Sequence, residues 1–268
     1  MLRTGRLFCA MNNPITRYLN AAFDLLLPRR CIVCGRKLLV GEKYLCLYCL
    51  ADFPFTHFWK MRNNPMSDRF NSVLQNGLEK SWEEYPENVA RTPREQYVYA
   101  ASLFFYRSEA AYRHIPYQVK YHGNISAGKY FGQILGQKLS EAGWSDDIDV
   151  IVPVPLHWRR KWSRGYNQAE IIASGVAESL GVPLRTNLLK RIRHTRTQTK
   201  LNVSEKSGNV ADAFKVTRLS EMNARHILLI DDVFTTGATL HACYVALRSV
   251  FPPSVRISVA TLGFVGGA

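Results

Sequence analysis

The sequence has no apolar run approaching the ~18–20 residues that a bilayer-spanning helix needs, so a helical membrane protein is not expected. Acidic residues are few. Across 268 residues, 21 Asp and Glu face 35 Lys and Arg, a net charge of +14. An excess of that size points to a polyanionic partner. Repeats and low-complexity tracts are missing, and 47% hydrophobic with 12% aromatic content excludes a disordered or collagen-like chain. The opening, MLRTGRLFCAM, has two arginines but too short an apolar stretch for a secretory signal. Met11 is a second candidate start, and a cytoplasmic protein is expected.

The positive charge is concentrated. Between His157 and Arg225 there are 14 Lys and Arg against 5 Asp and Glu, so this quarter carries nine of the fourteen excess charges. A solvated face would account for a plain charge run. Here Trp158, Trp162 and Tyr166 are interleaved with it, as in a surface that grips phosphates.

Residues 15–27 put Ile15, Leu19, Ala22, Phe23 and Leu26 on one helical face, and Pro28 stops that helix. The expected organisation is an N-terminal helix (1–28), a cysteine-rich ribbon (29–56), a connector with one short helix (57–96) and an α/β domain (97–268). In the last, 97–106, 149–155, 226–232 and 255–262 read as strands. Residues 109–121, 125–142, 167–180 and 238–250 read as helices. Alternating strands and helices, with strands apolar throughout, predict an open parallel sheet covered on both faces.

Six cysteines are a small number, but four are clustered. Cys31, Cys34, Cys46 and Cys49 form C-x2-C-x11-C-x2-C, with Gly35 suiting the turn after the first pair. Two thiolates on each of two tight knuckles suit one tetrahedral structural Zn2+. Two disulfides or a rubredoxin-type iron site are the competing chemistries, and a thioredoxin-like redox pair is weaker because neither pair opens a helix after a strand. Cys9 and Cys243 stand alone, and Cys243 is expected in the core.

The most informative stretch is ILLIDDVFTTGAT, residues 227–239. An apolar strand delivers Asp231 and Asp232 to its C-terminal edge, where open α/β sheets bind ligands. A Thr/Gly loop then enters a helix, whose N-terminal N–H groups suit a phosphate. The carboxylates suit vicinal sugar hydroxyls or Mg2+ held through water. Neither a Walker loop nor a G-x-G-x-x-G turn is present.

This element resembles the phosphoribosyl pyrophosphate (PRPP) signature of type I phosphoribosyltransferases, and nearly the whole chain resembles the ComF family of late-competence and GntX-like proteins. KYHG (120–123), VPVPLHWRRKWSRGYNQAE (152–170) and RHTRTQTKLNVSEKSGNVADAF (193–214) carry the resemblance together with the cysteine knuckles. It implies a type I phosphoribosyltransferase-like sheet behind a zinc ribbon. Thr235, Thr236, Gly237, Ala238 and Thr239 would cradle the 5′-phosphate, and Asp231 and Asp232 would face the ribose. Pro153, Val154, Pro155 and Lys120 would complete the PRPP site, with Mg2+ accompanying PRPP. Two features depart from the family pattern: Lys206 stands where an arginine is usual, and the 57–96 connector is long.

Breaking the C1–pyrophosphate bond develops positive charge on the ring and negative charge on the leaving group, so cations are needed at one end and carboxylates at the other. Arg164 is the expected leaving-group contact, because Gly165 frees its backbone. Arg159, Arg160, Lys161, Arg196 and Lys200 are expected to meet pyrophosphate or nucleic acid. The scattered histidines are assigned no role, and no residue announces an acceptor. Two functions therefore compete: phosphoribosyl transfer to an unidentified acceptor, and a PRPP-binding scaffold that holds single-stranded DNA. A purely structural zinc protein would leave the DD–TTGAT loop without purpose. The resemblance further implies a role in DNA uptake, with uptake-machinery proteins as partners.

Overall fold

A computed structural model gives the arrangement of residues 28–84, 96–121, 123–157, 162, 164–192, 213–217 and 224–266. The expected helix at 15–27 and the sequence positions Trp158, Arg159, Arg160, Lys161, Arg196, Lys200 and Lys206 lie outside the described residues. The chain divides into two compact units between Phe53 and Pro54.

In the first unit, the knuckles are joined by a loop that Glu42 fixes. Its carboxylate accepts from the N–H groups of Leu39 (2.6 Å) and Leu47 (2.7 Å), and these contacts hold its pKa below the usual range. Leu47 begins a five-residue helix, α1 (Leu47–Ala51), with Cys46 as its N-cap. The second cysteine pair thus does open a short helix, although no strand precedes it among the described residues.

The second unit is built on a four-stranded, all-parallel sheet ordered β1-β6-β5-β2, comprising β1 (Ala100–Phe105), β2 (Val150–Pro153), β5 (His226–Phe234) and β6 (Arg256–Phe264). Strand β2 is an edge, yet all four residues are buried, because residues 183–185 pair with it. Ile151 donates to the Pro183 carbonyl, and Arg185 donates to that of Ile151. A separate antiparallel pair, β3 (Leu189–Arg191) with β4 (Phe214–Val216), has no counterpart in the sequence reading.

Helices cover both faces. The 57–96 connector, expected to hold one short helix, contains the 20-residue α2 (Pro65–Glu84). Its Met66, Phe70 and Leu74 share a core with Ile227 and Leu229 of β5 and with Leu240, Cys243 and Leu247 of α6 (Ala238–Arg248). Strand side chains alternate, so Leu228 and Ile230 point to the other face. There α4 (Ile125–Glu141) and α5 (Gln168–Leu180) bury Phe131, Leu135, Leu139, Ile172 and Val176. These two helices pack backbone to backbone: a Cβ on Gly132 would lie 2.2 Å from the Ile172 carbonyl oxygen, and one on Gly175 2.2 Å from that of Lys129.

The helix expected over 109–121 starts later. A short 3-10 turn, Ala111–Arg113, precedes α3 (His114–Tyr121). Pro116 explains the shift: it lacks an N–H and fits an α-helix only in the first turn. Asn124 caps α4 by accepting from Ala127 N at 3.0 Å, and Gly181, at φ +69°, closes α5 where the sequence reading put it.

Candidate functional site

The four cysteines converge. Their sulfurs all lie within 4.8 Å of one another, with Cys34 and Cys46 3.6 Å apart. Sulfurs at ~2.3 Å from a tetrahedral Zn2+ are separated by ~3.8 Å, so the donor set fits one such ion. Burial raises the Cys31 pKa, but the N–H groups of Cys34, Cys46 and Val33 outweigh it and bring the thiol down to about 7. Those N–H groups favour a thiolate, the form a metal binds. Burial and contacts with the other three sulfurs push Cys49 up instead. Gly35, at φ +71°, makes the turn after the first pair.

The second cluster lies at the C-terminal end of β5. The strand runs two residues past the acidic pair, to Phe234, and Thr235-Thr236-Gly237 turns into α6. Gly237 is the N-cap at φ +79° and makes no side-chain cap, so the first turn of α6 retains open N–H groups. A Cβ at Gly237 would also meet the Phe234 ring at 2.9 Å. Thr235 and Thr236 are exposed, Thr239 is half-buried, and the Thr236 hydroxyl accepts weakly from Ala238 N at 3.4 Å. The loop can therefore offer hydroxyls and N–H groups to an anion.

Strand alternation separates the two carboxylates. Asp232 turns toward α3 and α5, where Lys120 Nζ lies 3.8 Å and Gln168 Nε2 3.5 Å from its Oδ2. Asp231 turns toward the α6 face. Protein surrounds it closely although some solvent access remains, and burial, followed by the charge of Asp232, pushes its carboxyl up to about 8. Lys120 and Arg191 oppose that rise. Each carboxylate also accepts from the next backbone N–H, at 2.8 and 2.7 Å, which fixes both side chains.

The R-G-Y-N-Q segment ties three elements to this edge. Arg164 sits over the Tyr121 ring at 5.6 Å, and Tyr166 Oη donates to the Val119 carbonyl at 2.6 Å. Asn167 donates to the Val154 carbonyl at 3.0 Å while capping α5 through Ala169 N. Pro153 and Val154 are buried beneath the site, and Val154 N donates to the Ile230 carbonyl. Arg164 Nη1 is buried with no hydrogen-bond partner among the described residues.

The structure thus gathers Lys120, Pro153–Pro155, Arg164, Asp231, Asp232 and the 235–239 loop at one sheet edge. Sequence reasoning missed Gln168, Tyr121 and Arg191 as neighbours of that edge. Gln168 lay inside a quoted motif, whereas Arg191 looked like one more member of a basic run. Among the histidines, His226 is buried against Ser258 Oγ at 2.8 Å, and burial lowers its pKa to about 4.

A parallel sheet with an acidic pair and a phosphate-type loop at its carboxyl edge defines a phosphoribosyltransferase-like α/β protein. Residues 163–262 match the phosphoribosyl transferase domain family. The chain is 36% identical over 110 residues to Competence protein F of Haemophilus influenzae, covering 41% of this chain and 48% of that protein. It is 31% identical over 127 residues to the DNA utilization protein YhgH of Salmonella typhi, covering 46% and 55%. It is 34% identical over 99 residues to Competence protein ComFC of Bacillus subtilis, covering 37% and 38%. These likenesses support the resemblance to the ComF family. The chain spans about half the length of the first two relatives. No helix among the described residues is long and apolar enough to cross a membrane.

Proposed function

We propose that the protein binds PRPP with Mg2+ at the β5 edge and transfers its phosphoribosyl group to an acceptor. The observation that carries this reading is the convergence of Asp231, Asp232 and the 235–239 loop with Arg164, whose Nη1 is buried and has no hydrogen-bond partner among the described residues. A buried guanidinium nitrogen without a partner is costly, and an anionic oxygen would satisfy it.

In this reading the 5′-phosphate sits on the N–H groups that open α6, and the Thr235, Thr236 and Thr239 hydroxyls add donors. Arg164 takes the departing pyrophosphate, assisted by the residues around Pro153–Pro155. Asp232, held by Lys120 and Gln168, faces the ribose hydroxyls from one side of the strand, and Asp231 from the other. Bound Mg2+ neutralises charge on the pyrophosphate. As positive charge develops on the ring, the ionised form of Asp231 would stabilise it. The first unit carries one structural Zn2+ on Cys31, Cys34, Cys46 and Cys49. Melting of the purified protein with PRPP and Mg2+, followed by a pyrophosphate-release assay across candidate bases, tests the reading. No shift with PRPP would end it.

A second function has its own observation. Trp162 is 87% exposed, and the exposed Tyr117 and Tyr121 lie with ring centroids 4.8 Å apart and planes tilted by 44°. Exposed aromatics beside a basic segment suit single-stranded DNA. Relatives named competence and DNA utilization proteins support a role in DNA handling, and a cytoplasmic location with uptake-machinery partners belongs to the same reading.

A further inference from the structure

The proposed chemistry leaves one deeply buried polar atom at the donor edge unused. Gln168 opens α5 and is 6% exposed. Its Nε2 donates to Asp232 Oδ2, the same oxygen that Lys120 approaches. A carboxylate paired with a lysine only accepts, so the amide must turn its NH2 end toward Asp232. Oε1 then points away, and among the described residues nothing donates to it.

Buried acceptors in folded proteins are nearly always satisfied, so one with no donor among the described residues is suited to a donor from a bound ligand. The required partner is an O–H or N–H donor beside the acidic pair. Asn167, which caps α5 and anchors to the Val154 carbonyl, fixes the backbone from which Gln168 projects. The side chain is therefore held from both ends, as a group that reads a ligand must be.

We propose that Gln168 is a sugar-reading residue of the donor site: its Oε1 accepts a hydrogen bond from a ribose hydroxyl of the bound sugar phosphate. This rests on the PRPP reading above. Asp232 would accept from the ribose, and Gln168, locked to Asp232, would discriminate ribose from deoxyribose at one hydroxyl. A Mg2+-bound water has the same donor chemistry, and the presence or absence of Mg2+ separates the two.

The test is calorimetric titration of the full chain with ribose 5-phosphate, 2-deoxyribose 5-phosphate and 3-deoxyribose 5-phosphate, with and without Mg2+. Wild type should prefer ribose 5-phosphate over at least one deoxy analogue. Gln168→Met, which keeps the length and removes the amide, should reduce that preference about three- to tenfold, with ribose 5-phosphate losing more affinity than the deoxy analogue. Gln168→Asn retracts the amide and should act likewise, which covers a Met variant that fails to fold. An unchanged preference in folded variants overturns the role of Gln168 while leaving the donor site standing. A preference that narrows only when Mg2+ is present assigns Oε1 to a metal-bound water and also overturns it. If wild type binds neither PRPP nor any sugar phosphate, the donor reading itself has failed.

Discussion

Gly132 and Ile172 meet at their backbones: a Cβ on the glycine would fall 2.2 Å from the isoleucine's carbonyl oxygen. That contact sets the spacing of α4 and α5, and α5 begins with the residues that hold Asp232. In an isolated helix Gly→Ala is favourable by about 1 kcal/mol. Here Gly132→Ala must push the helices apart, and overpacking of this kind costs about 1–3 kcal/mol. Calorimetric unfolding should show a melting temperature lowered by roughly 3–10 °C. A rise would mean that the helices separate freely.

The metal prediction concerns the first unit. Elemental analysis of reductively purified protein should find one zinc per chain, and Cys46→Ser should lose it. A small ribbon depends on its metal for folding. The variant should lose structure in the first unit while the Pro54–Ala268 unit keeps its melting transition. Undiminished zinc in Cys46→Ser would show that the four cysteines are not the ligand set.

For the donor site, Asp231→Ala combined with Asp232→Ala should remove PRPP binding by calorimetry while far-ultraviolet circular dichroism stays native. The strand beyond the pair is still held by β6, through Val233 opposite Gly263 and Phe234 opposite Phe264. Wild-type PRPP affinity in the double variant would place the ligand elsewhere.

Asp231 also predicts a pH dependence. Its carboxyl is raised from the ordinary range to about 8 in the folded chain, first by burial and then by Asp232. The folded state therefore holds this proton more tightly than the unfolded state, and stability falls as pH rises from about 4 to about 8. Asp231→Asn lacks that penalty. It should melt above wild type at pH 8, and the difference should shrink to nothing near pH 4. A constant difference across the range would show that Asp231 is ordinarily ionised.

Single-stranded DNA binding is predicted to be weak, indifferent to sequence and steeply weakened by salt, because phosphate contacts release counterions. Trp162→Ala should cost about 1–3 kcal/mol if the exposed ring stacks on bases. Fluorescence anisotropy at two salt concentrations decides it. Salt-insensitive or absent binding excludes the DNA reading.

Several features were legible without coordinates because their signals are local. The apolar runs at 149–155 and 226–232 specified parallel strands, Gly181 marked a helix end, and the four cysteines declared their meeting point by spacing. The length of α2 was hidden. Its polar, balanced composition reads as a connector, and only packing against β5 and α6 shows that Met66, Phe70 and Leu74 form one buried face. Pro116 was visible, but its power to delay α3 was not applied.

What the sequence by itself determined is the inventory: a strand ending in Asp231-Asp232, a loop able to approach an anion, and an R-G-Y-N-Q segment. Only the tertiary structure decided how that inventory is shared out. Strand alternation sends Asp231 and Asp232 to opposite faces, which leaves one carboxyl with its pKa raised by the protein packed around it and the other held by Lys120 and Gln168. It also decided that Arg164 and Gln168 carry buried polar atoms with no partner among the described residues, because satisfaction of a hydrogen bond depends on neighbours distant in sequence. Residue type fixes what a side chain can donate or accept, and packing fixes what is left for it to meet.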